Sequence, residues 1–330
     1  GLFFDPLEGK ILDFVGGEAD LKAGVIRCIG EPVDRFREDK LRLLRGVRFA
    51  ATLGFQIDPS TWAALRDQAA SISDVSAERI RDELVKIFLH PSRVRGFDLL
   101  DESGLLEILL PEVTRMKGCE QPPEFHPEGD VFVHTRLMLS LLPEAVSIPL
   151  VFAVLFHDIG KPQVARTDET GRIRFNGHET ASAVMAEKIL ERLRFSNAQT
   201  GDTLVAVKNH MAFKDVQHMR VATLKRFLAR PTIDDELELH RVDCLGSHGM
   251  VDNYDLLLAK REEFSREPLI PPPLVTGQDL ISMGWKPGPL FKKMLEAVQV
   301  RQLEGTLTTR DEALDWVASN RILVEKGEIP

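Results

Sequence analysis

Scarce residue types exclude several classes of protein for this sequence. Cysteine occurs three times in 330 residues, at Cys28, Cys119 and Cys244. Cysteines so few and so widely spaced exclude a disulfide-stapled extracellular domain and predict a reduced, cytoplasmic protein. Long apolar runs are also missing, since the longest, Ile148–Phe156, has nine residues and includes a proline. It is too short to span a bilayer, so we expect no membrane partner.

An excess of positive charge is missing as well. Lys and Arg total 42 against 51 Asp and Glu, which gives a net charge of −9 at pH 7. This balance argues against broad affinity for nucleic acid, so an RNA partner would need a locally basic surface. The remaining composition, 43% hydrophobic and 28% charged, is typical of a soluble globular protein. A chain of this length should hold two or three domains.

The segment Arg35–Phe49, RFREDKLRLLRGVRF, supplies such a basic surface, with six basic residues against two acidic ones. We expect one short helix in which Arg35, Asp39, Arg42 and Gly46 share a face. Apolar residues on the opposite side are predicted to join the core: Leu43, Leu44, Val47, Ala50 and Ala51.

Asp39 and Arg42 together suit the Watson–Crick edges of cytosine and adenine. Each of these bases offers an amino donor, which a carboxylate accepts, beside a ring-nitrogen acceptor, to which an arginine donates. Uracil and guanine present the opposite order and would leave buried polar groups unpaired. The alternative is a solvated helix held by Glu38–Arg42 and Asp39–Arg42 ion pairs.

A second chemical signal is the pair His157–Asp158, which follows the apolar run Ile148–Phe156. Charged or polar groups at the end of a buried helix need a partner, and a metal ion is an economical one. Imidazole and carboxylate ligands suit Mg²⁺, Mn²⁺, Fe, Ni or Zn²⁺. Lys161, in the same turn, suits either a bound phosphate or a simple charge at a helix end.

The run EDKLRLLRGVRFAATLGFQID (residues 38–58) resembles the base-selecting motif of class II tRNA nucleotidyltransferases, the CCA-adding enzymes, and of related poly(A) polymerases. In that family the Asp and Arg of this motif act as a protein template for CTP and ATP. DLKAGVIR (residues 20–27) resembles the motif that links the catalytic head to the neck. The resemblance implies these nucleotide-binding residues: Asp20, Arg27, Glu38, Asp39, Arg42 and Arg45. ERIRDEL (residues 78–84) resembles the neck motif that braces the base-reading helix, although a plain surface helix would read the same way.

The order of histidines and aspartates after the Pro-rich segment Gln121–Gly129 resembles the HD phosphohydrolase superfamily. The signature of that superfamily falls on four proposed metal ligands: His134, His157, Asp158 and Asp243. His178 and His210 lie where members with a second metal place further ligands. His126, His218 and His248 are expected to be ordinary core or surface histidines.

For the HD segment, the resemblance implies catalytic roles for His157, Asp158 and Lys161. It also implies phosphohydrolase activity, including 2′,3′-cyclic phosphodiesterase action on RNA ends. We expect two strands of a small β-hairpin beside this site, Gln163–Thr167 and Arg172–Phe175.

VTGQDLISMGWKPGPLFKKML (residues 275–295) resembles the tRNA-contacting segment of the nucleotidyltransferases. The resemblance implies tRNA contacts by Lys286, Lys292 and Lys293, next to a turn that starts a helix at Pro289. The alternative is a plain helical packing unit with Trp285 in its core.

The sequence departs from the family at its beginning. It starts at Gly1, and neither the paired carboxylates that hold two Mg²⁺ ions nor the Arg-Arg-Asp nucleotide motif is present. Two-metal phosphoryl transfer needs those carboxylates. We therefore expect the chain to be part of a longer protein whose head holds Mg²⁺, and not to add nucleotides by itself.

The sequence as a whole predicts a mostly α fold in four parts. These are the remnant of an α/β nucleotidyltransferase head (1–30), a helical base-reading neck (31–115), a helical HD domain with a small β-hairpin (116–265) and a helical tRNA-contacting C-terminal domain (266–330). The predicted function is CCA addition to tRNA from CTP and ATP, with no DNA partner, and with a divalent metal in the HD site. The alternatives are a poly(A) polymerase or A-adding enzyme, a stand-alone HD phosphohydrolase, and a non-catalytic tRNA-binding module.

Overall fold

The computed structural model describes residues 1–325, and helices dominate them. This confirms the mostly α fold class. Strands occur in short pairs, antiparallel for the first and last pair and parallel for the middle one. The paired strands are β1 (Leu2–Asp5) with β2 (Lys10–Asp13), β3 (Val25–Ile26) with β4 (Gln56–Ile57), and β5 (Arg166–Thr167) with β6 (Ile173–Arg174).

The helices follow one another with short connections. The first group is α1 (Gly17–Ala23), α2 (Pro32–Glu38), α3 (Arg42–Leu53), α4 (Pro59–Asp67), α5 (Ala77–Leu89), α6 (Arg93–Glu102), α7 (Leu105–Leu109) and α8 (Pro111–Thr114). The next is α9 (Val131–Leu141), α10 (Ile148–Phe156), α11 (Lys161–Val164), α12 (His178–Arg192), α13 (Asn197–Asn209), α14 (Val221–Leu228) and α15 (Ile233–Leu245). The last is α16 (Asp252–Glu263), α17 (Gly277–Ser282), α18 (Pro289–Leu303) and α19 (Arg310–Glu325). Single 3₁₀ segments cover Ala69–Asp74, His210–His218 and Phe264–Arg266.

The chain divides into two compact units. One comprises Gly1–Met211 with Asp234–Val251, and its apolar core runs from Phe36 to Val242. The other comprises Ala212–Ile233 with the residues from Asp252 onward, and its core includes Leu280, Trp285 and Val317. The four predicted domain ranges remain a prediction, and residues 326–330 of the last one lie outside the described residues.

Local sequence explains the helices that position the candidate sites. In α3 the predicted core residues Leu43, Leu44, Val47, Ala50 and Ala51 are all buried, which confirms the apolar side of that helix. Helix α10 is apolar around its whole circumference because it is surrounded by the core, and every residue from Leu150 to Phe156 is buried. Its first turn is capped by Ser147, whose hydroxyl accepts a hydrogen bond from the Leu150 amide.

The expectation of one helix over Arg35–Phe49 is wrong. Helix α2 ends at Glu38, Asp39 is extended with φ −144° and ψ 98°, and α3 begins only at Arg42. The Asp39 carboxylate accepts a hydrogen bond from the Leu41 amide at 3.3 Å, a local contact that competes with helical hydrogen bonding. Asp39 therefore lies in the turn between the two helices, and Arg42 is the first residue of the second one.

The predicted hairpin beside the HD segment is present, but its strands are shorter than expected. They cover Arg166–Thr167 and Ile173–Arg174, whereas Gln163 and Val164 belong to α11. Pro162 lies in the first turn of that helix, where its fixed φ favours helix formation and its missing N–H costs nothing.

Across residues 1–325, none of the helices has both the length and the apolarity that a membrane crossing requires. The cytoplasmic location remains a prediction.

Candidate metal centre and basic groove

Six imidazole and carboxylate side chains meet in the first unit, and the ends of helices bring most of them together. His157 and His210 directly follow α10 and α13, Asp158 is the next residue after His157, and His178 opens α12. His134 and Asp243 come from the middle of α9 and the second half of α15. All the proposed HD ligands are therefore adjacent in space: His134, His157, Asp158, His178, His210 and Asp243.

The ligand atoms of this cluster converge. Asp158 is central: its Oδ2 lies 3.1 Å from His157 Nε2, and its Oδ1 lies 3.3 Å from His178 Nε2 and 3.8 Å from His210 Nε2. His134 Nε2 lies 3.1 Å from an oxygen of Asp243.

Two overlapping triads have all their ligand atoms within 4.8 Å of one another. One is His134–His157–Asp158 and the other is Asp158–His178–His210. The cluster can thus hold a divalent metal ion.

The Nδ1 side of each histidine faces a hydrogen-bond acceptor. For three of them the acceptor is a backbone carbonyl oxygen. Nδ1 of His157 lies 2.9 Å from the Val154 oxygen, Nδ1 of His178 lies 2.8 Å from the Phe175 oxygen, and Nδ1 of His210 lies 2.6 Å from the Val207 oxygen. His134 Nδ1 lies 2.7 Å from a Glu128 oxygen and 3.2 Å from the Gly246 carbonyl oxygen. These acceptors keep a ring proton on Nδ1, so Nε2 of each ring faces the cluster and is the nitrogen available to a metal ion.

Several nitrogen and oxygen atoms at the centre of the cluster lack a well-matched hydrogen-bond partner, which is the arrangement expected of ligands for a cation. His178 Nε2 and His210 Nε2 are 3.0 Å apart, so two neutral rings with protonated Nδ1 atoms would face each other with lone pairs. His157 Nε2 and Asp158 Oδ1 are buried without an aligned hydrogen-bond partner, although ionisable atoms lie within 3.3 Å of each. Buried polar atoms normally have partners, and a metal ion would supply one to all of these atoms.

The electrostatics of the cluster keep its carboxylates ionised. Burial raises the pKa of Asp158, but His157 and Lys161 outweigh this and hold the pKa well below its ordinary value. Hydrogen bonding to His134 likewise outweighs burial and lowers the pKa of Asp243. Burial and the neighbouring His157 lower the pKa of His210 to about 3, so this ring is neutral at physiological pH and is available as a ligand.

Lys161 is buried beside the cluster. Its ammonium group lies 2.6 Å from Asp158 Oδ2 and donates a hydrogen bond to Gln121 Oε1 at 2.7 Å. It also lines a cavity of about 330 Å³ that opens onto Asp158, His178 and His210. Further residues on the cavity wall are Phe125, His126, Arg172, Arg174, Phe175, Asp243 and His248.

The sequence predicts ordinary core or surface positions for His126 and His248 and indicates no role for Glu128. Both histidines line the cavity over the cluster, whereas His218 is exposed in the other unit. The carboxylate of Glu128 contacts both His126 and His134. The run HPEGD, directly before α9, was an available signal, because an acidic residue in a histidine-containing loop near a ligand helix can support that ligand.

A second site is a basic groove of about 300 Å³ formed mainly by α2, α3 and the end of β3. Its walls include four arginines, Arg27, Arg35, Arg42 and Arg45, together with the partly exposed ring of Phe49. Glu38 accepts hydrogen bonds from Arg35 and Arg42 at the edge of this arginine cluster. Asp20 binds the groove residue Arg27 at 3.0 Å.

Asp39 does not line this groove and does not pair with Arg42. Its carboxylate contacts Arg79 at 3.2 Å and Arg45 at 3.5 Å. Arg79 belongs to α5, and Glu83 on the same helix accepts a hydrogen bond from Arg48 of α3 at 2.6 Å. The predicted neck motif thus contacts the turn and the helix that carry the groove residues.

The proposed tRNA contacts lie in the second unit. Lys286, Lys292 and Lys293 are exposed around the start of α18, which has Gly288 as N-cap and Pro289 in its first turn. Trp285 is buried in the core of this unit, as the packing alternative expects.

Comparisons with known proteins address the identity of these sites. A family model described as the probable RNA and SrmB-binding site of polymerase A matches residues 54–117. An HD domain model matches residues 131–245, which contain all six clustered side chains.

Individual relatives cover almost the whole chain. An A-adding tRNA nucleotidyltransferase of Deinococcus radiodurans is 33% identical, over 93% of this chain and 74% of its own length. A CC-adding tRNA nucleotidyltransferase of Thermus thermophilus is also 33% identical, over 92% of this chain and 71% of its own. Among solved structures, the CCA-adding enzyme of Bacillus stearothermophilus in complex with CTP has the same fold, with a TM-score of 0.69, 20% identity and coverage of 99% of this chain and 72% of that one.

Proposed function

Because this chain belongs to the tRNA nucleotidyltransferase family, we propose that it takes part in adding nucleotides to tRNA 3′ ends and that its basic groove binds CTP and ATP. The membership confirms the family resemblance predicted from the sequence. The observation that carries the proposal is the groove of about 300 Å³ with four arginines and an aromatic ring in its walls.

The chemistry of the groove suits a nucleoside triphosphate. Guanidinium groups of Arg35, Arg42 and Arg45 offer bidentate donors for phosphate oxygens and cannot lose their charge. Arg27 adds positive charge to the wall, although its nitrogens already donate to Asp20 and Asp58. Phe49 offers a ring face on which a base can stack. The groove supplies cations and aromatic surface, so we expect it to hold the nucleotide and not the Mg²⁺ ions that nucleotide addition uses.

We propose that Asp39 and Arg42 select the base: Arg42 lines the groove, and Asp39 lies beside it in contact with the groove residue Arg45. The contact between Asp39 and Arg45, at 3.5 Å, is at the outer limit of a hydrogen bond, so the amino group of cytosine or adenine can replace it at low cost. Arg42 would then donate to the ring nitrogen of the same base. Arg79 binds the carboxylate from outside the groove and would hold it in place while the base is read.

The relatives differ in the nucleotides they add, since one is named as A-adding and the other as CC-adding. We propose that this chain uses both CTP and ATP because Asp39 and Arg42 match the donor and acceptor order that the two bases share. Use of ATP alone, as in an A-adding enzyme or a poly(A) polymerase, is the alternative.

Isothermal titration of the chain with each of the four nucleoside triphosphates tests this proposal without requiring catalysis. We expect CTP and ATP to bind more tightly than UTP and GTP. Arg42→Ala should weaken both by roughly tenfold or more, because a charged hydrogen bond in a groove contributes about 1.5–3 kcal/mol. Asp39→Ala should remove the discrimination. Arg37→Ala, an exposed arginine of α2 outside the groove, is the matched control and should bind like the wild type. Equal binding of all four nucleotides would contradict base selection by this pair.

The second unit is proposed to contact tRNA phosphates through Lys286, Lys292 and Lys293. All three are exposed beside the start of α18, where backbone amides and the helix dipole also favour an anion. Their contribution should appear as a salt-dependent part of tRNA affinity.

We also propose a metal-dependent phosphohydrolase activity at the cluster around Asp158. The observation that favours it is the convergence of four Nε2 atoms and two carboxylates, with the Nδ1 protons fixed by acceptors on the outside. The proposed ligands are His134, His157, Asp158 and Asp243, with His178 and His210 completing the set. Mg²⁺, Mn²⁺, Fe, Ni and Zn²⁺ are all compatible with these donors.

A divalent ion bound there would lower the pKa of a coordinated water and polarise a phosphoryl oxygen. The protein supplies the remaining functions. Lys161 keeps Asp158 ionised and can orient a phosphate that enters the cavity. Arg172 on the cavity wall offers a further cation, and Phe125 and Phe175 offer apolar surface for a nucleoside.

Hydrolysis of 2′,3′-cyclic AMP and of bis(p-nitrophenyl) phosphate, after chelation and addition of single metals, tests this activity. We expect activity to return with at least one divalent metal and to be absent in His157→Ala. Arg37→Ala should keep full activity. Full activity after chelation, or in His157→Ala, would contradict the proposal.

A further inference from the structure

We propose that Glu128 is a positioning residue that holds the His134 imidazole in the tautomer and orientation needed to bind a metal ion through Nε2. This inference rests on the metal centre proposed above and extends it to a residue outside the ligand set. Neither the family models nor the sequence motifs assign a role to Glu128.

Glu128 lies in the loop between α8 and α9, with its carboxylate turned inward. Its side chain is only 8% exposed. One oxygen, Oε1, lies 2.7 Å from His134 Nδ1 and 2.9 Å from His126 Nδ1. A carboxylate this enclosed needs donors, and the two imidazoles are the ones that the contacts provide.

The surroundings of His134 keep a proton on its Nδ1. On the Nδ1 side lie Glu128 Oε1 and, at 3.2 Å, the backbone oxygen of Gly246. Both neighbours of Nδ1 are oxygen atoms, one of a carboxylate and one of a backbone carbonyl, and such oxygens accept hydrogen bonds. Nδ1 must therefore donate, which leaves Nε2 as the nitrogen that faces Asp243 and the cluster and that a metal ion would bind in place of a proton.

Gly246 makes this arrangement possible by its size. A Cβ at this position would lie 3.0 Å from the Val242 oxygen and 3.2 Å from a side-chain carbon of Met138. The missing side chain lets the backbone carbonyl approach the imidazole of His134 closely enough to act as the second acceptor. His134 is thus held from two directions.

His126, Glu128 and His134 also meet the loose geometric requirement for a metal site, because three ligand atoms lie within 4.8 Å. The hydrogen bonding argues against a second ion there. His134 Nδ1 carries a proton directed at Glu128 and Gly246, and a protonated nitrogen cannot bind a metal. A supporting role for Glu128 and a second metal site therefore predict different metal stoichiometries.

His134 differs from the other three histidines of the cluster in what holds it. Backbone carbonyl oxygens face Nδ1 of His157, His178 and His210, whereas an ionised carboxylate faces Nδ1 of His134. A carboxylate behind a ligand histidine fixes the ring and makes its free nitrogen a stronger donor. Loss of such a partner typically costs about tenfold to a hundredfold in metal affinity.

The test is isothermal titration of the chelator-treated chain with Mn²⁺, Ni²⁺ and Zn²⁺, together with the visible absorption spectrum of the Co²⁺-bound chain. We expect Glu128→Ala to bind about ten to a hundred times more weakly than the wild type, with unchanged stoichiometry and an altered Co²⁺ spectrum. Glu128→Gln should be intermediate, because its amide oxygen still accepts the Nδ1 hydrogen bond without the negative charge. Glu124→Ala, an exposed glutamate of the same loop, is the matched control and should behave like the wild type.

Three outcomes would overturn the inference, and they are distinguishable. Wild-type affinity in Glu128→Ala would show that Glu128 does not position the ligand. Loss of one metal equivalent in Glu128→Ala would show that Glu128 is itself a ligand of a second ion. Failure of the wild type to bind any of the metals would remove the proposed metal centre itself. If Glu128→Ala fails to fold, as judged by circular dichroism of the metal-free chain, the Gln variant decides between these outcomes.

Discussion

The metal centre and the basic groove use charged side chains in opposite ways. In the centre, His134, His157 and Asp158 are at most 2% exposed, and each imidazole is fixed by an acceptor on its outer side. In the groove, the side chains of Arg35 and Arg45 are 36% and 42% exposed, and their ion pairs are shared and solvated. The side chains of the centre are therefore preorganised for a metal ion, whereas the arginines of the groove can exchange a carboxylate partner for a phosphate.

This contrast has consequences for mutation. A buried charge that loses its partner stays buried, so a substitution in the centre should damage the fold as well as the site. An exposed arginine that loses its partner is solvated again, so a substitution in the groove should change binding and leave stability almost unchanged. The following predictions test this difference, from the largest expected effect to the smallest.

Asp158→Ala should have the largest effect. It removes the carboxylate shared by two of the triads. The ammonium of Lys161, which is only 8% exposed, then keeps its hydrogen bond to Gln121 and the Phe175 ring 5.3 Å away but has no negative partner there. We expect loss of measurable metal binding and a destabilisation of about 3–5 kcal/mol, the usual cost of an unpaired buried charge. Urea unfolding and metal titration measure the two effects.

The double variant Asp158→Ala/Lys161→Met separates stability from function at the same position. Removing the stranded charge should recover most of the lost stability and none of the metal binding. Recovery of metal binding, or no recovery of stability, would contradict the proposed pairing of Asp158 with Lys161.

Gly160→Ala should damage the centre by backbone displacement. A Cβ at residue 160 would lie 2.6 Å from the Ser182 nitrogen and 2.8 Å from the His178 carbonyl oxygen, both backbone atoms of α12. The helix that carries His178 would have to move, so we expect weaker metal binding and a destabilisation of about 1–3 kcal/mol. Gly201→Ala in α13, where nothing lies within 4 Å of the added Cβ, is the control and should stabilise by about 0.5–1 kcal/mol. Equal effects of the two substitutions would show that α12 tolerates the displacement.

The pH dependence of the metal-free chain should reflect His134. Burial lowers the pKa of this imidazole, but hydrogen bonds to Asp243 and Glu128 outweigh it and raise the pKa from 6.5 to about 9. A group with a raised folded-state pKa stabilises the fold fully below its unfolded pKa, and this contribution is lost as the pH rises through the folded pKa. We therefore expect the melting temperature of the metal-free chain to fall between about pH 6.5 and 9. The fall should be smaller in His134→Gln but not absent, because the hydrogen bond to Asp158 also raises the pKa of His178. An unchanged fall in the variant would assign it to another group.

How far the sequence predicts these two regions depends on burial. The apolar run that forms α10 and the His-Asp pair after it are predictable from the sequence alone. A polar pair directly after a fully apolar helix is buried and needs a partner, and few surroundings provide one. The apolar side of α3 was predictable for the same reason. The interruption of the helix at Asp39 was not predictable, because hydrophobic periodicity contains no information about a carboxylate that accepts a hydrogen bond from a nearby backbone amide. The role of Glu128 was not predictable either, because it depends on the conformation of the loop before α9, which places the carboxylate next to His134.

Glu38→Gln should have the smallest effect on stability. It allows an exposed and a buried ion pair of the neck to be compared. Its side chain is 52% exposed, although it pairs with both Arg35 and Arg42, so we expect a change within about 0.5 kcal/mol. Glu83→Gln is the matched buried variant, because Glu83 also receives arginines but its side chain is only 4% exposed. The substitution removes the buried negative charge and leaves the guanidinium of Arg48 with a neutral amide oxygen as acceptor, and we expect a cost of about 3 kcal/mol. Urea unfolding of both variants gives the comparison directly. Similar losses in the two would mean that the number of ion pairs, and not their burial, determines how much a charge contributes to this fold.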